Sequence, residues 1–305
     1  MATTKKSTKA KIKTTKKPAA NTSKAARTNK LSVSAKVVKT PIKKATAPRN
    51  RIKLLAQLNL ITAVLSLGLA VMAGLFMNQR SYQLFTGLLT RDELASRATT
   101  VFVPAIRSVA DVELRWAVVA TMVLSAILPL LFATRLRRRY EASVANKVRT
   151  WRWVDMAVVG ALMMGTTALI SGVQDIMTLK LIGGLVILSG ALAWMAERQN
   201  ADITAKPGKS AYILSIIAGA LPWLLIATYA AATPIYGMVR NSWFAYALYG
   251  ALLAGFIATA INLGNQLRGK GKLANYEVAE RNYQLINLLT RAAFAVILIT
   301  GLIKG

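Results

Sequence analysis

The sequence predicts an all-α membrane protein: a seven-transmembrane helix bundle with a disordered basic tail at its amino terminus. Three observations predict it. Hydrophobic residues make up 54% of the 305, and mean hydropathy is +0.43, too apolar for an ordinary soluble domain of this length. The apolar residues come in seven long runs, most of them reaching the roughly 17 to 25 residues that carry a helix across a bilayer. Lys and Arg collect on alternate links between the runs, as they do on the cytoplasmic loops of membrane proteins.

Residues 1–50 hold thirteen Lys, two Arg and no acid, so they carry +15 of the formal +29. Rich in Lys, Thr, Ala and Ser, this segment has too few large apolar side chains to offset its ordering entropy. It is read as a disordered cytoplasmic tail ahead of a membrane domain at 51–305. Its charge suits anionic lipid headgroups, at about 1 kcal/mol per basic residue near the surface; nucleic acid is a second polyanion it would fit. The first apolar run, 54–76, is of spanning length and follows some fifty residues, which argues against a cleaved signal peptide.

The link 77–116 carries five Arg nearly balanced by Asp92, Glu93, Asp111 and Glu113, and its β-branched and aromatic stretch at 99–103 predicts a short strand over the outer face. The second and third spans, 117–133 and 154–170, are joined by a link with Arg135, Arg137, Arg138, Arg139, Lys147, Arg149 and Arg152. The fourth span, 181–195, is the shortest. The fifth, sixth and seventh are 211–232, 243–263 and 285–303. Arg198, Lys206 and Lys209 follow the fourth span, and Arg268, Lys270, Lys272 and Arg281 the sixth, whereas the short links on the other side hold Lys180 and Arg240. The amino terminus is therefore expected inside the cell membrane and the carboxyl terminus outside. Trp116, Trp151, Trp153, Trp243 and Tyr246 sit near span ends, as interfacial anchors do.

Neither Cys nor His occurs. That removes thiolate and imidazole metal ligands, the usual general base and the Ser-His constellation. Phosphate-binding and dinucleotide-binding glycine motifs are missing too. With eleven acids, several of them in links, paired carboxylates are a thin basis for hydrolysis, and no enzyme is expected. Ionisable side chains inside a span cost about 2.5 to 3.5 kcal/mol on insertion scales, so each needs a partner or a role. Asp155 lies just inside the third span and Arg291 about two turns into the seventh; both spans start from the tail side, which brings the two within reach. Asn287 shares the Arg291 face four residues earlier, Thr290 is adjacent, and Ser125 of the second span can join a polar cluster with them. Glu197 and Asp175 end spans, where interface water is expected to solvate them.

An ordered series of motifs resembles the heliorhodopsins, seven-span retinal proteins with an inverted topology. Arg152, Trp153, Val154 and Asp155, then Ala161, Leu162 and Met163, are similar to the family's third span. Gly172, Asp175, Glu197, Gly219, Pro222, Trp223, Pro234, Tyr236, Asn262, Gln266 and the stretch YEVAERNY at 276–283 follow in the family's order. The likeness runs from about residue 50 to the end and implies a rhodopsin-like bundle that forms a homodimer. In the seventh span, Glu280, Tyr283, Ile286, Asn287, Leu288, Thr290 and Arg291 align with the motif that ends in the retinal-binding lysine, so the resemblance puts Arg291 at that position. It puts Ser66 and Pro129 where the family has histidines and keeps the counterion as Asp155.

Arg291, Asp155, Asn287, Thr290, Ser125 and Ser66 thus outline a former chromophore site without covalent retinal or any other cofactor. The expected role is that of a signalling, regulatory or scaffolding membrane protein with a protein partner. Three alternatives stand beside it: a photoreceptor or carrier that binds a retinoid or carotenoid non-covalently, a small-solute transporter, and a membrane tether whose tail binds nucleic acid.

Overall fold

The structure is a computed structural model that describes residues 49–92, 100–201, 208–237, 240–269, 273 and 275–303, with side chains from residue 53. The predicted tail lies outside the described residues, apart from its last two positions. The chain runs α1 (Arg49–Phe76), β1 (Ser81–Arg91), β2 (Phe102–Glu113), α2 (Leu114–Ala133), α3 (Arg137–Ala145), α4 (Thr150–Ile170), α5 (Ile176–Gln199), α6 (Ser210–Tyr236), α7 (Trp243–Arg268) and α8 (Tyr276–Ile303). Among the described residues, seven of the eight helices, all but α3, are long and apolar enough to cross a membrane. Only closed backbone hydrogen bonding is tolerated in lipid, which is why apolar runs of this length fold as helices.

The bundle interior is filled by small and large apolar side chains alike, and further large ones face outward. Ala63, Ala73, Met122, Phe294, Ala295 and Leu298 are inaccessible, while Leu75, Leu224 and Leu289 stand more than 60% exposed, as lipid-facing side chains should. Close approach of α7 and α8 depends on Gly301: a Cβ there would lie 2.6 Å from the Phe244 ring. Gly269, in the left-handed conformation at φ +61°, ends α7. Asp175 caps α5, its carboxylate accepting from the Thr178 backbone N–H and hydroxyl, each at 2.7 Å.

Two links are more ordered than their sequence predicts. Instead of one short strand at 99–103, β1 and β2 form a long antiparallel hairpin from Ser81↔Glu113 to Arg91↔Phe102, with an irregularity at Leu84/Phe85. The predicted strand overlaps only the start of β2, and residues 93–99 lie outside the described residues. The hairpin is pinned to the α4–α5 link by the Phe85 N–H donating to the Gln174 carbonyl at 2.9 Å. The link after α2 folds into α3, because Leu136, Tyr140 and Val144 recur every four residues and pack on Leu55, Phe132 and Tyr276. The fourth span is 24 residues rather than fifteen: its helix starts at the Asp175 cap and runs through the polar end to Gln199.

Candidate functional site

One face of α8 carries Glu280, Gln284, Asn287 and Arg291, spaced three or four residues apart so that they stack along the bundle interior. At the deep end, Arg291 Nη2 donates to Asp155 Oδ2 at 2.5 Å and Nη1 to the Ser125 backbone carbonyl at 3.2 Å. Arg291 is 4% exposed. Of the expected cluster, Ser125 therefore contributes its carbonyl, its hydroxyl being turned back to the Thr121 carbonyl. The Thr290 hydroxyl is likewise satisfied within its own helix, by the Ile286 carbonyl. Ser66 is buried on α1 but lines neither of the cavities described below.

A second layer lies nearer the α3 end, one to two turns away along α4 and about three along α8. Arg152 forms ion pairs with both Glu197 and Glu280, and Arg149 pairs with Glu280. Glu197 also accepts from Trp153 Nε1 and the Tyr276 hydroxyl, each at 2.8 Å, and from Gln266 Nε2 and the Arg149 backbone N–H, each at 3.2 Å. The Arg152 guanidinium stacks 3.9 Å from the centre of the Tyr283 ring, and that of Arg149 4.4 Å from Tyr140. Gln284 Nε2 donates to Asn59 Oδ1 and to the Tyr140 hydroxyl, each at 2.9 Å. Burial pushes the Tyr140 phenol above its usual range, so it stays neutral.

These contacts correct two readings of the sequence. Glu197 is 2% exposed and bonded on both oxygens; it does not reach interface water. Trp153 is buried and holds Glu197, whereas Trp116, Trp151, Trp243 and Tyr246 are each more than half exposed, as anchors would be. Arg149 and Arg152, two of the seven basic residues counted in the link after the second span, are paired with acids inside the bundle. The signal for this layer was the α8 spacing, which puts Glu280 on the Arg291 face, together with Glu197 as the one acid in α5.

Two cavities meet at Arg291. The larger, of about 170 Å³, lies among α4, α5, α6, α7 and α8, with mainly apolar walls that include Met163, Trp223 and Phe256. The smaller, of about 30 Å³, has mixed walls in which Asp155, Arg149, Arg152, Glu280 and Gln284 face apolar side chains such as Phe132. Arg291 and Asn287 line both and so form the partition between them. Among the described residues no group of three His, Cys, Asp or Glu is placed to hold a metal.

The heliorhodopsin family model matches residues 55–303, from the first span to the end of the seventh. The chain belongs to the heliorhodopsin family. Comparison with curated proteins gives no match. Heliorhodopsin membership and the seven spans together make the chain a rhodopsin-like, multi-pass membrane protein. Both polar layers and both cavities fall inside the matched region.

Proposed function

We propose that this heliorhodopsin-family protein works without a retinal Schiff base, as a signalling, regulatory or scaffolding protein of the cell membrane. The observation that carries the reading is the state of Arg291, at the position the family motif gives to lysine: a buried guanidinium held by Asp155 at 2.5 Å. Imine formation needs a primary amine that can lose a proton, and a guanidinium with a pKa above about 12 supplies none. The ion pair takes the place of the protonated imine and its carboxylate, keeping the charge balance of the site. Nothing in either polar layer pairs a nucleophile with a base, which supports a non-enzymatic role.

We read the amino terminus as inside. Arg135, Arg138, Arg139, Lys147, Arg198, Lys209, Arg268 and Arg281 are exposed at one end of the bundle, the end where α1 begins. Exposed apolar side chains on the hairpin, Leu89, Phe102 and Ile106, support self-association on the opposite side.

The larger cavity favours a second reading, in which an apolar molecule is held non-covalently. A dry cavity of roughly 150 Å³ already admits benzene, and this one is of that order. Purification from native cells with mass spectrometry of everything that accompanies the chain separates the two. A protein partner without a visible absorption band is the expected result; a stoichiometric retinoid or carotenoid would replace the first reading with the second.

A further inference from the structure

Four of the five residues that lead from α2 into α3 are arginines: Arg135, Arg137, Arg138 and Arg139. Their direction is set by the opposite face of the helix. Tyr140 is inaccessible, stacked on Phe132 at 5.6 Å between ring centres, and Val144 is buried one turn on. Gln284 of α8 donates to the Tyr140 hydroxyl, so α3 is fixed to the bundle rather than lying loosely on it. With its apolar face fixed inward, the basic face is forced out. Arg137 is paired with Glu141 at 3.1 Å, but Arg135, Arg138 and Arg139 are exposed and have no acidic partner among the described residues.

The depth of this face selects the partner. The adjoining ends of α2 and α4 expose Leu130, Trp151 and Val154, side chains that belong against lipid, and an exposed Trp in the first turn of a span marks the headgroup level. Arg135 follows Leu130 by five residues and leads directly into α3, so the basic face begins next to this lipid-facing surface. Guanidinium forks match phosphate oxygens two at a time.

We propose that the outward face of α3 and of the turn that leads into it is a docking surface for anionic phospholipid headgroups, with Arg135, Arg138 and Arg139 binding their phosphates. The surface is independent of the tail and of the reading of Arg291. It differs from a diffuse positive charge in being held rigid by Tyr140 and Val144, so that its side chains lose little further freedom on binding.

The test is native mass spectrometry of the full chain in detergent, titrated with phosphatidylglycerol or phosphatidylcholine. Three proteins are compared: wild type, the triple variant R135Q/R138Q/R139Q, and a control, R198Q/K209Q/R268Q, which removes the same exposed charge elsewhere at that end of the bundle. Wild type is expected to prefer phosphatidylglycerol. The α3 variant should lose about fivefold in affinity per charge removed, the equivalent of about 1 kcal/mol each, and the control should stay within about twofold. Equal losses in the two variants would reduce the effect to net charge and overturn the proposal, as would equal binding of the two lipids. Displacement by inorganic phosphate or a short DNA duplex at matched ionic strength would overturn it in favour of a soluble ligand. If the triple variant unfolds, Arg138→Gln alone, with its expected fivefold loss, decides in the same way.

Discussion

Arg291 is surrounded by apolar helices and survives there because Asp155 and the Ser125 carbonyl share its charge. Removing one partner of such a pair leaves the other uncompensated, at about 3 to 5 kcal/mol, whereas replacing both by apolar groups is often close to neutral. Arg291→Leu and Asp155→Leu are each expected to lower stability in detergent clearly, and the double variant to recover most of the loss. Additive losses would show that the two charges act separately. Glu197 belongs to the same class, since Arg152, Trp153, Tyr276 and Gln266 all bond to it. Glu197→Leu should therefore cost a similar amount, and an unchanged melting temperature would mean that interface water solvates the site after all. Asp155 and Arg291 were legible in the sequence because charge stands out within an apolar run. Glu197 and Arg152 were not: they sit at span ends, where hydropathy does not distinguish a solvated charge from a buried one.

At the scale of single elements, the helices could be read from length and apolarity, and the short ordered links could not. Eleven- and twelve-residue strands are stabilised here by pairing with each other across an intervening loop, and no local window contains that information. Likewise α3 is helical because the bundle supplies Leu55, Phe132 and Tyr276 to cover its apolar face. The early start of α5 has a local cause in its cap. Hydrogen bonds from the Thr178 hydroxyl and backbone hold the Asp175 carboxyl below its usual range. Because the folded pKa is depressed, the stabilisation is present above the unfolded value near pH 4 and is lost as pH falls through the folded one. Asp175→Ala should thus cost about 1 kcal/mol at neutral pH, and thermal melts should show the gap to wild type closing below about pH 4.

The whole molecule combines an apolar exterior, two neutralised polar layers and one strongly basic end. Burial of Arg149 and Arg152 against Glu197 and Glu280 removes them from the charges that set orientation, yet exposed Lys and Arg remain more numerous at the α3 end than on the hairpin side, where Arg80, Arg91, Arg107, Lys180 and Arg240 are exposed. Cysteine introduced at Ala142 should accordingly be labelled in intact cells only by permeant reagents, and cysteine at Thr90 by impermeant ones; the reverse pattern would invert the topology. Seven spans in a family whose model covers residues 55–303 fix the fold, while the chemistry at the centre turns on one side chain. Incubation of the wild-type chain with all-trans retinal, borohydride reduction and mass spectrometry tests that most directly. The expected result is no covalent adduct on wild type and a trapped adduct on Arg291→Lys, whose amine would face the same cavity. A retinal adduct trapped on the wild-type chain would contradict the account.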